Sequence, residues 1–474
     1  MSDTRHATRP LPEDDGVAGE GYAFRYVDLF AGIGGFAAVG EALGGRNVYS
    51  VEIDKQAAAV YESNWGHKSL GDITEDATDL VMNVPAHDIL FAGLPCQPFS
   101  KSGLQRGFQE TRGTLYENVM HIIMEHHPSV IVLENVRNLA GPRHAHELEV
   151  IVETLRDEGY RIADAPAIYS PHLVPPTHGG RPQVRERVFV TATYNADDVD
   201  AALPVEPVLT PRDRINGWEP HEWDLAADLP LDEDHHVTGC DLTKPEELWI
   251  DAWNDWVEQF YELTNGRQPP GFPIWADAWV PTDDLEISED TPKWKRNFLI
   301  KNAALYTEHK EAFDAWVEKW GVKTDAFPAS RRKLEWQAQD TPRLWDCVMH
   351  LRPSGIRAKK PNYLPALVAI TQTSIIGPRG RRLSPREAAR LQGLPDGFNF
   401  GDQRSAATYR QLGNGVSIGA VWNVLKAHVD RDEDILKRTE AGQRILAAVA
   451  EAPASPDTWL NERFQEPDPK STEQ

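Results

Sequence analysis

The sequence predicts an α/β protein built on a doubly wound, mostly parallel sheet with a second, smaller domain. Three observations predict it. Between residues 24 and 193 short apolar runs alternate with helical stretches, a glycine-rich turn follows the first of those runs, and the composition changes abruptly near residue 196.

The first strand, 26–30, ends in Phe30 and runs into Ala31-Gly32-Ile33-Gly34-Gly35 and a helix over 36–43. Glycines in that order let a ligand approach the backbone at a helix N-terminus. Phe30 offers a ring that could stack on adenine. A second strand, 48–51, delivers Glu52 18 residues after Gly34, placed to accept hydrogen bonds from two ribose hydroxyls. A helix over 55–64 follows. Asp72, in Leu70-Gly71-Asp72-Ile73, reads either as an acceptor for an adenine amino group or as a helix cap. On these residues alone the turn also satisfies the dinucleotide fingerprint, so a nicotinamide oxidoreductase stays open.

The third strand, 89–91, leads into Gly93-Leu94-Pro95-Cys96-Gln97-Pro98-Phe99-Ser100. Flanking prolines stiffen this loop, and neither can continue a strand or helix, which suggests that Cys96 is a nucleophile held out for use rather than a core residue. A helix over 115–126, a strand over 130–133 that ends at Glu134, a helix over 145–158 and a strand over 188–190 complete the region. Just before that last strand, in Gln183-Val184-Arg185-Glu186-Arg187, Arg185 and Arg187 alternate, so a single strand would project both to one face.

The middle of the chain differs. It holds 12 of the 15 tryptophans, between Trp218 and Trp345, and the helical spacing of Trp249/Trp253/Trp256 and Trp316/Trp320 points to a packed core. The formal charge of −24 is concentrated over 196–291, where 25 acidic residues face 4 basic ones; over 331–386 there are 12 basic residues and 3 acidic. That basic segment, with Arg352 to Lys360 at its centre, is an electrostatic footprint for nucleic acid. Ser384, Pro385 and Glu387 form a capping box ahead of a helix. The turn Gly413-Asn414-Gly415 then leads into a last apolar helix over 416–428. Residues 1–21 and the chain from about Glu451 read as disordered tails. No apolar run is long enough to span a membrane, and three widely spaced cysteines fit neither a disulfide framework nor a zinc cluster. A cytoplasmic location is expected, with no metal.

Five ordered blocks carry a specific resemblance: Asp28-Leu29-Phe30-Ala31-Gly32-Ile33-Gly34-Gly35-Phe36, Pro95-Cys96-Gln97-Pro98-Phe99-Ser100, Glu134-Asn135-Val136, Gln183-Val184-Arg185-Glu186-Arg187 and Gln411-Leu412-Gly413-Asn414-Gly415-Val416. The chain resembles the DNA (cytosine-5)-methyltransferases of bacterial restriction-modification systems. The resemblance implies a Rossmann-like methyltransferase sheet, S-adenosyl-L-methionine as cofactor, and double-stranded DNA as substrate. It further implies that Cys96 adds to carbon 6 of a flipped cytosine, that Glu134 acts as an acid near N3, that Arg187 donates to O2, and that Arg185 orients the carboxylate or the loop. Phe30, Gly32, Ile33, Gly34, Glu52, Ile53, Asp72, Ile73, Pro95, Asn414 and Val416 would contact the cofactor. Gln97, Ser102 and Arg106 would contact the substrate from a loop that moves over it.

Position 415 is Gly where the family usually has Ser, so no hydroxyl contact is available there. The implied organisation is a tail over 1–21, a catalytic, cofactor-binding domain over 22–195, a target-recognition domain with an acidic Trp-rich insertion over 196–378, a return to the catalytic domain over 379–430, and a C-terminal helix and tail over 431–474. A monomer is expected, working in a restriction-modification system beside a cognate restriction endonuclease or as an orphan methylase. An RNA cytosine-5 methyltransferase and a catalytically silent DNA-binding regulator are the alternatives.

Overall fold

The computed structural model describes residues 21–95, 114–195, 205–233, 236–367 and 373–465. The chain begins with β1 (Phe24–Leu29), α1 (Gly35–Ala42), β2 (Gly45–Val51), α2 (Lys55–Trp65), a short α3 (Ile73–Asp76), β3 (Ile89–Gly93), α4 (Leu115–His126), β4 (Val130–Val136) and α5 (Ala145–Asp157). Four strands follow: β5 (Tyr160–Ile162), β6 (Ala167–Tyr169), β7 (Gln183–Val184) and β8 (Arg187–Tyr194). Helices α1, α2, α4 and α5 fall within one residue of where the sequence pattern puts them.

All of these strands but β7 build a seven-stranded sheet in the order β2-β1-β3-β4-β8-β5, with β6 also on β8. β2, β1, β3 and β4 run parallel, and β8 lies antiparallel to β4. Alternation along β1 supplies both layers of the doubly wound fold. Val27 and Leu29 join a buried cluster with Tyr116, Val119 and Met120 of α4 and Ile151 and Leu155 of α5. On the opposite face Tyr26 packs so tightly on α1 that a side chain at Gly40 would meet its ring at 2.7 Å, and Phe36 stacks on Phe91 at 5.2 Å. Strand order reverses between β1 and β3, and ligands of such sheets gather at the carboxyl ends beside that reversal.

The next elements are α6 (Leu225–Asp228), α7 (Lys244–Leu263), β9 (Ile274–Trp275), α8 (Lys293–Glu308), α9 (Lys310–Trp320), β10 (Lys333–Gln337), β11 (Val348–Arg352), β12 (Gly355–Lys359), β13 (Leu364–Pro365), β14 (Ile375–Ile376) and β15 (Arg381–Arg382). The chain closes with α10 (Pro385–Gln392), α11 (Ser405–Asn414), α12 (Ile418–Arg431), α13 (Glu433–Leu436), α14 (Glu440–Glu451) and α15 (Asp457–Arg463). The described residues divide into two compact units, one from those within 21–222, 365–367 and 389–465, the other from those within 223–364 and 373–388. The second holds a six-stranded sheet in the order β15-β14-β11-β12-β10-β9. Its core is aromatic: Trp253 and Trp256 of α7, Trp279, and Trp316 of α9 are all buried, with Trp253 and Trp316 4.9 Å apart. Each indole of that pair finds a carbonyl, Trp253 on Arg331 at 2.8 Å and Trp316 on Ala252 at 2.7 Å.

Four expectations from sequence are corrected. First, Gly413 and Asn414 end helix α11 and do not form a turn; the bend is at residues 415–417. Side chains from elsewhere satisfy the last carbonyls of α11, Gln392 on Leu412 at 2.9 Å and Arg185 on Gly413 at 2.8 Å, and these contacts override glycine's poor helix propensity. Second, 416–428 is not the last helix, and 451–465 is not a tail. α15 is held by the Arg181–Asp457 ion pair at 2.7 Å, and Phe464 sits edge-on to Trp65 at 5.3 Å. Third, Arg185 and Arg187 do not alternate along one strand. Residues 185 and 186 separate β7 from β8, because the Arg185 N–H bonds to Ser170 Oγ at 2.9 Å rather than to a neighbouring strand. Fourth, the basic hairpin of β11 and β12 is partly paired: Arg352 and Arg357 share the one carboxylate of Glu335, and Lys360, just past β12, pairs with Asp340 at 2.6 Å.

Candidate active site

Within the first unit a cavity of about 720 Å³ lies at the carboxyl ends of β1 to β4. Local backbone chemistry shapes its floor. Phe30 closes β1 in the left-handed region, φ 58°, an uncommon conformation for a non-glycine residue that occurs mainly at functional turns. Gly34, at φ 94°, lies so close to Trp65 that a Cβ would meet its indole nitrogen at 2.0 Å, while that nitrogen donates to the Ile33 carbonyl at 3.0 Å. Only glycine fits there. The turn is thereby locked from beneath, and Gly32 is left bordering the cavity.

Glu52 is fastened at both oxygens. The Gly32 N–H donates to Oε2 at 2.8 Å and the Asp54 N–H to Oε1 at 2.7 Å. A carboxylate carries about four acceptor positions, so each oxygen keeps capacity for a further donor such as a ribose hydroxyl. Asp72 does cap α3, its Oδ1 accepting from the Thr74 N–H at 3.0 Å and the Thr74 hydroxyl at 2.7 Å, and it borders the cavity as well. The two readings of Asp72 are therefore compatible. Ile53, 71 % exposed, Ile73, Pro95 and Asn414 complete this end of the cavity.

At the other end stands Glu134, still within the paired part of β4, two residues before the strand ends. Arg187 Nε lies 2.9 Å from its Oε1. Burial raises the Glu134 carboxyl above the ordinary carboxylate range, against the opposing pull of Arg187 and then Arg185; burial likewise lowers Arg187. The result is an acid that retains its proton to higher pH than usual, beside a cation that can steady the charged form.

Arg185 stands apart from the cavity. Its guanidinium is buried and donates to the carbonyls of Leu367 at 3.0 Å, Gly413 at 2.8 Å and Gly415 at 2.5 Å, and burial lowers its pKa to about 9. It is a positioning residue that ties the end of α11, and with it Asn414, to the segment beside Glu134. Arg185→Ala leaves those carbonyls without a donor and is expected to lower stability by about 3 kcal/mol, read from the midpoint of urea unfolding.

The structure thus gathers Phe30, Gly32, Glu52, Ile53, Asp72, Ile73, Pro95, Asn414, Glu134 and Arg187 around one cavity. Ile33, Gly34 and Val416 do not border it; they support it from below, Val416 by packing against Gly35 so closely that a Cβ there would lie 2.5 Å from Cγ2. Cys96, Gln97, Ser102 and Arg106 lie outside the described residues. Sequence reasoning missed Asp54, Arg410 and Gln411, which also border the cavity. Asp54 had a signal, as an Asp just ahead of a helical run: its Oδ1 caps α2. Arg410, which pairs with Asp54 at 3.0 Å, had none. Of the described cysteines, Cys240 and Cys347 are both buried, and burial pushes the Cys347 thiol up to about 12, so neither is a nucleophile.

Comparison with known proteins adds to this geometry. The family model for C-5 cytosine-specific DNA methylases matches residues 24–430. The chain is 48 % identical to the type II methyltransferase M.AluI of Cellulosimicrobium cellulans, over 90 % of this chain and 96 % of that protein. It is 41 % identical to the type II methyltransferase M.HhaI of Haemophilus parahaemolyticus, over 84 % of this chain and 91 % of that one, and 39 % identical to M.HpaII of Haemophilus parainfluenzae, over 84 % and 87 %.

Proposed function

Because the chain belongs to the C-5 cytosine-specific DNA methylases, we propose that it transfers a methyl group from S-adenosyl-L-methionine to carbon 5 of a cytosine in a specific duplex DNA sequence. The nicotinamide alternative falls with that membership. The observation that supports the reading most directly is the single cavity bordered at one end by the doubly anchored Glu52 carboxylate and at the other by the buried Glu134–Arg187 pair.

The residues present suit this cofactor. Glu52 accepts from ribose, Asp72 from the adenine amino group, and Phe30 and Ile53 give apolar surface to the base. The bound cofactor supplies an electrophilic methyl group on a sulfonium. The rest of the chemistry belongs to side chains. Carbon 5 of cytosine is a poor nucleophile, so the Cys96 thiolate adds to carbon 6 and pushes an electron pair toward carbon 5. Glu134 donates a proton or hydrogen bond to N3, where negative charge would otherwise build, and Arg187 donates to O2. After transfer, loss of the proton on carbon 5 expels the Cys96 thiolate and restores the aromatic ring. Both reacting carbons are covered in a stacked duplex, so the cytosine must leave the helix first. The protein acts as a monomer, as the modification half of a restriction-modification pair.

Bisulfite sequencing of DNA from cells expressing the chain tests the proposal. Full conversion resistance at one short sequence is expected, and uniform conversion at every cytosine overturns it. Glu52→Gln is expected to weaken cofactor binding by roughly 10- to 100-fold in calorimetry, through loss of charge-assisted hydrogen bonds to ribose, and to lower the melting temperature modestly, because the amide NH2 faces one of the two N–H donors that the carboxylate now satisfies.

A further inference from the structure

The first half of α8 is unlike the surface around it. α8 buries only Asn302, Ala303 and Tyr306, all in its second half. Its earlier residues Lys293, Trp294, Lys295, Asn297, Ile300 and Lys301 are exposed, Trp294 at 61 % and Ile300 at 47 %. The buried half is firmly fixed: Asn302 Oδ1 accepts from the Trp275 N–H at 2.7 Å and Nδ2 donates to the Pro273 carbonyl at 3.0 Å.

The cations of this half have no carboxylate partners among the described residues. Asp283, Asp284, Glu286, Glu289 and Asp290 are exposed just ahead of the helix, yet Arg296 donates to the main-chain carbonyl of Glu289, at 3.1 Å, and not to an acidic side chain. Elsewhere in the same unit Lys244, Lys310, Lys319, Arg352, Arg357 and Lys360 are each paired with a carboxylate. Three cations in the first turn, with no acidic residue there, also oppose the helix dipole, so helix stability does not account for them. Aromatic rings continue the patch onto the edge strand of the six-stranded sheet. Phe298 meets Trp294 at 6.2 Å and Trp275 of β9 at 5.6 Å, Lys333 lies over Trp275 at 5.6 Å, and Lys301 over Phe272 at 5.6 Å.

We propose that this basic, aromatic face grips the phosphate backbone of duplex DNA flanking the methylated site. The inference rests on the DNA-methylase reading and adds to it a contact that carries no base recognition. Unpaired ammonium groups are free to exchange counterions for phosphates, and the exposed indole and Ile300 offer apolar surface to the sugars.

The test is the salt dependence of binding to a DNA fragment of about 200 base pairs, on the order of 70 nm long, that contains one mapped target site. Lys293→Ala/Lys295→Ala/Lys301→Ala removes three cations and leaves Arg296, whose bond to Glu289 braces the helix. The slope of log affinity against log salt is expected to fall by about 2.7 units, so that the affinity lost between about 50 and about 200 mM salt shrinks roughly 40-fold. Turnover at saturating DNA should equal that of the parent. Lys244→Ala/Lys310→Ala/Lys319→Ala, which removes three paired cations from the same unit, should leave the slope alone. An unchanged slope in the α8 variant overturns the inference, as does an equal fall in the control. A parent protein that fails to methylate DNA at all overturns the proposed function instead.

Discussion

Cys96→Ala is expected to abolish methyl transfer while leaving cofactor and DNA binding in place. Loss of the nucleophile removes the only route by which carbon 5 gains electron density, and deletion of a covalent nucleophile costs on the order of 10⁶-fold in turnover where the rest of the site survives. Labelled methyl incorporation into duplex DNA measures the loss, and incorporation at a tenth of the parent rate sinks the covalent mechanism. Neither Cys240 nor Cys347 can substitute, because both thiols are buried in the second unit. A companion experiment uses the chemistry of the last step. In a duplex with 5-fluorocytosine at the target, no proton can leave carbon 5, so the thiolate cannot be expelled and the adduct accumulates. The parent protein should then migrate with the oligonucleotide under denaturing conditions, and Cys96→Ala should not.

Much of the first unit was legible because its signals are local. Apolar runs of strand length bounded by glycine, and helices whose starts carry Asp54 or Thr114, are decided by residues within a turn or two of each other. The same holds for Glu52, which must lie at the end of β2 if the glycine turn ends β1. Arg185 was not legible, since its partners are the carbonyls of residues 182, 228 and 230 positions away. Sequence spacing showed two alternating arginines; tertiary contacts made one a strut and the other a neighbour of Glu134. α11 and α15 fail for a related reason. Gly413 and the Pro-containing stretch before Asp457 argue locally against structure, and only Gln392, Arg185 and Arg181, reaching from distant segments, overrule them. The charge on β11 and β12 is reduced in the same way, because Arg352 and Arg357, which composition counts as free, share the one carboxylate of Glu335.

Glu134→Gln is expected to slow turnover by about 10²- to 10⁴-fold, the usual range for losing a general acid, with cofactor affinity nearly intact because Glu52 and Asp72 lie at the other end of the cavity. The pH dependence distinguishes an acid from a mere hydrogen-bond acceptor. Burial raises the Glu134 carboxyl, so its protonated form persists above the ordinary carboxylate range, and the ion pair with Arg187 limits the rise. The competent form is the protonated one. Turnover limited by this step should therefore decline as pH climbs through the raised value, and that alkaline limb should vanish in Glu134→Gln, whose amide keeps its N–H at every pH. Arg187→Ala removes the pull that favours the carboxylate, so the limb should move to higher pH even as the rate falls through loss of the O2 contact. A limb that stays at the same pH in Glu134→Gln would assign it to another group and leave Glu134 an ion-paired residue at the end of a strand.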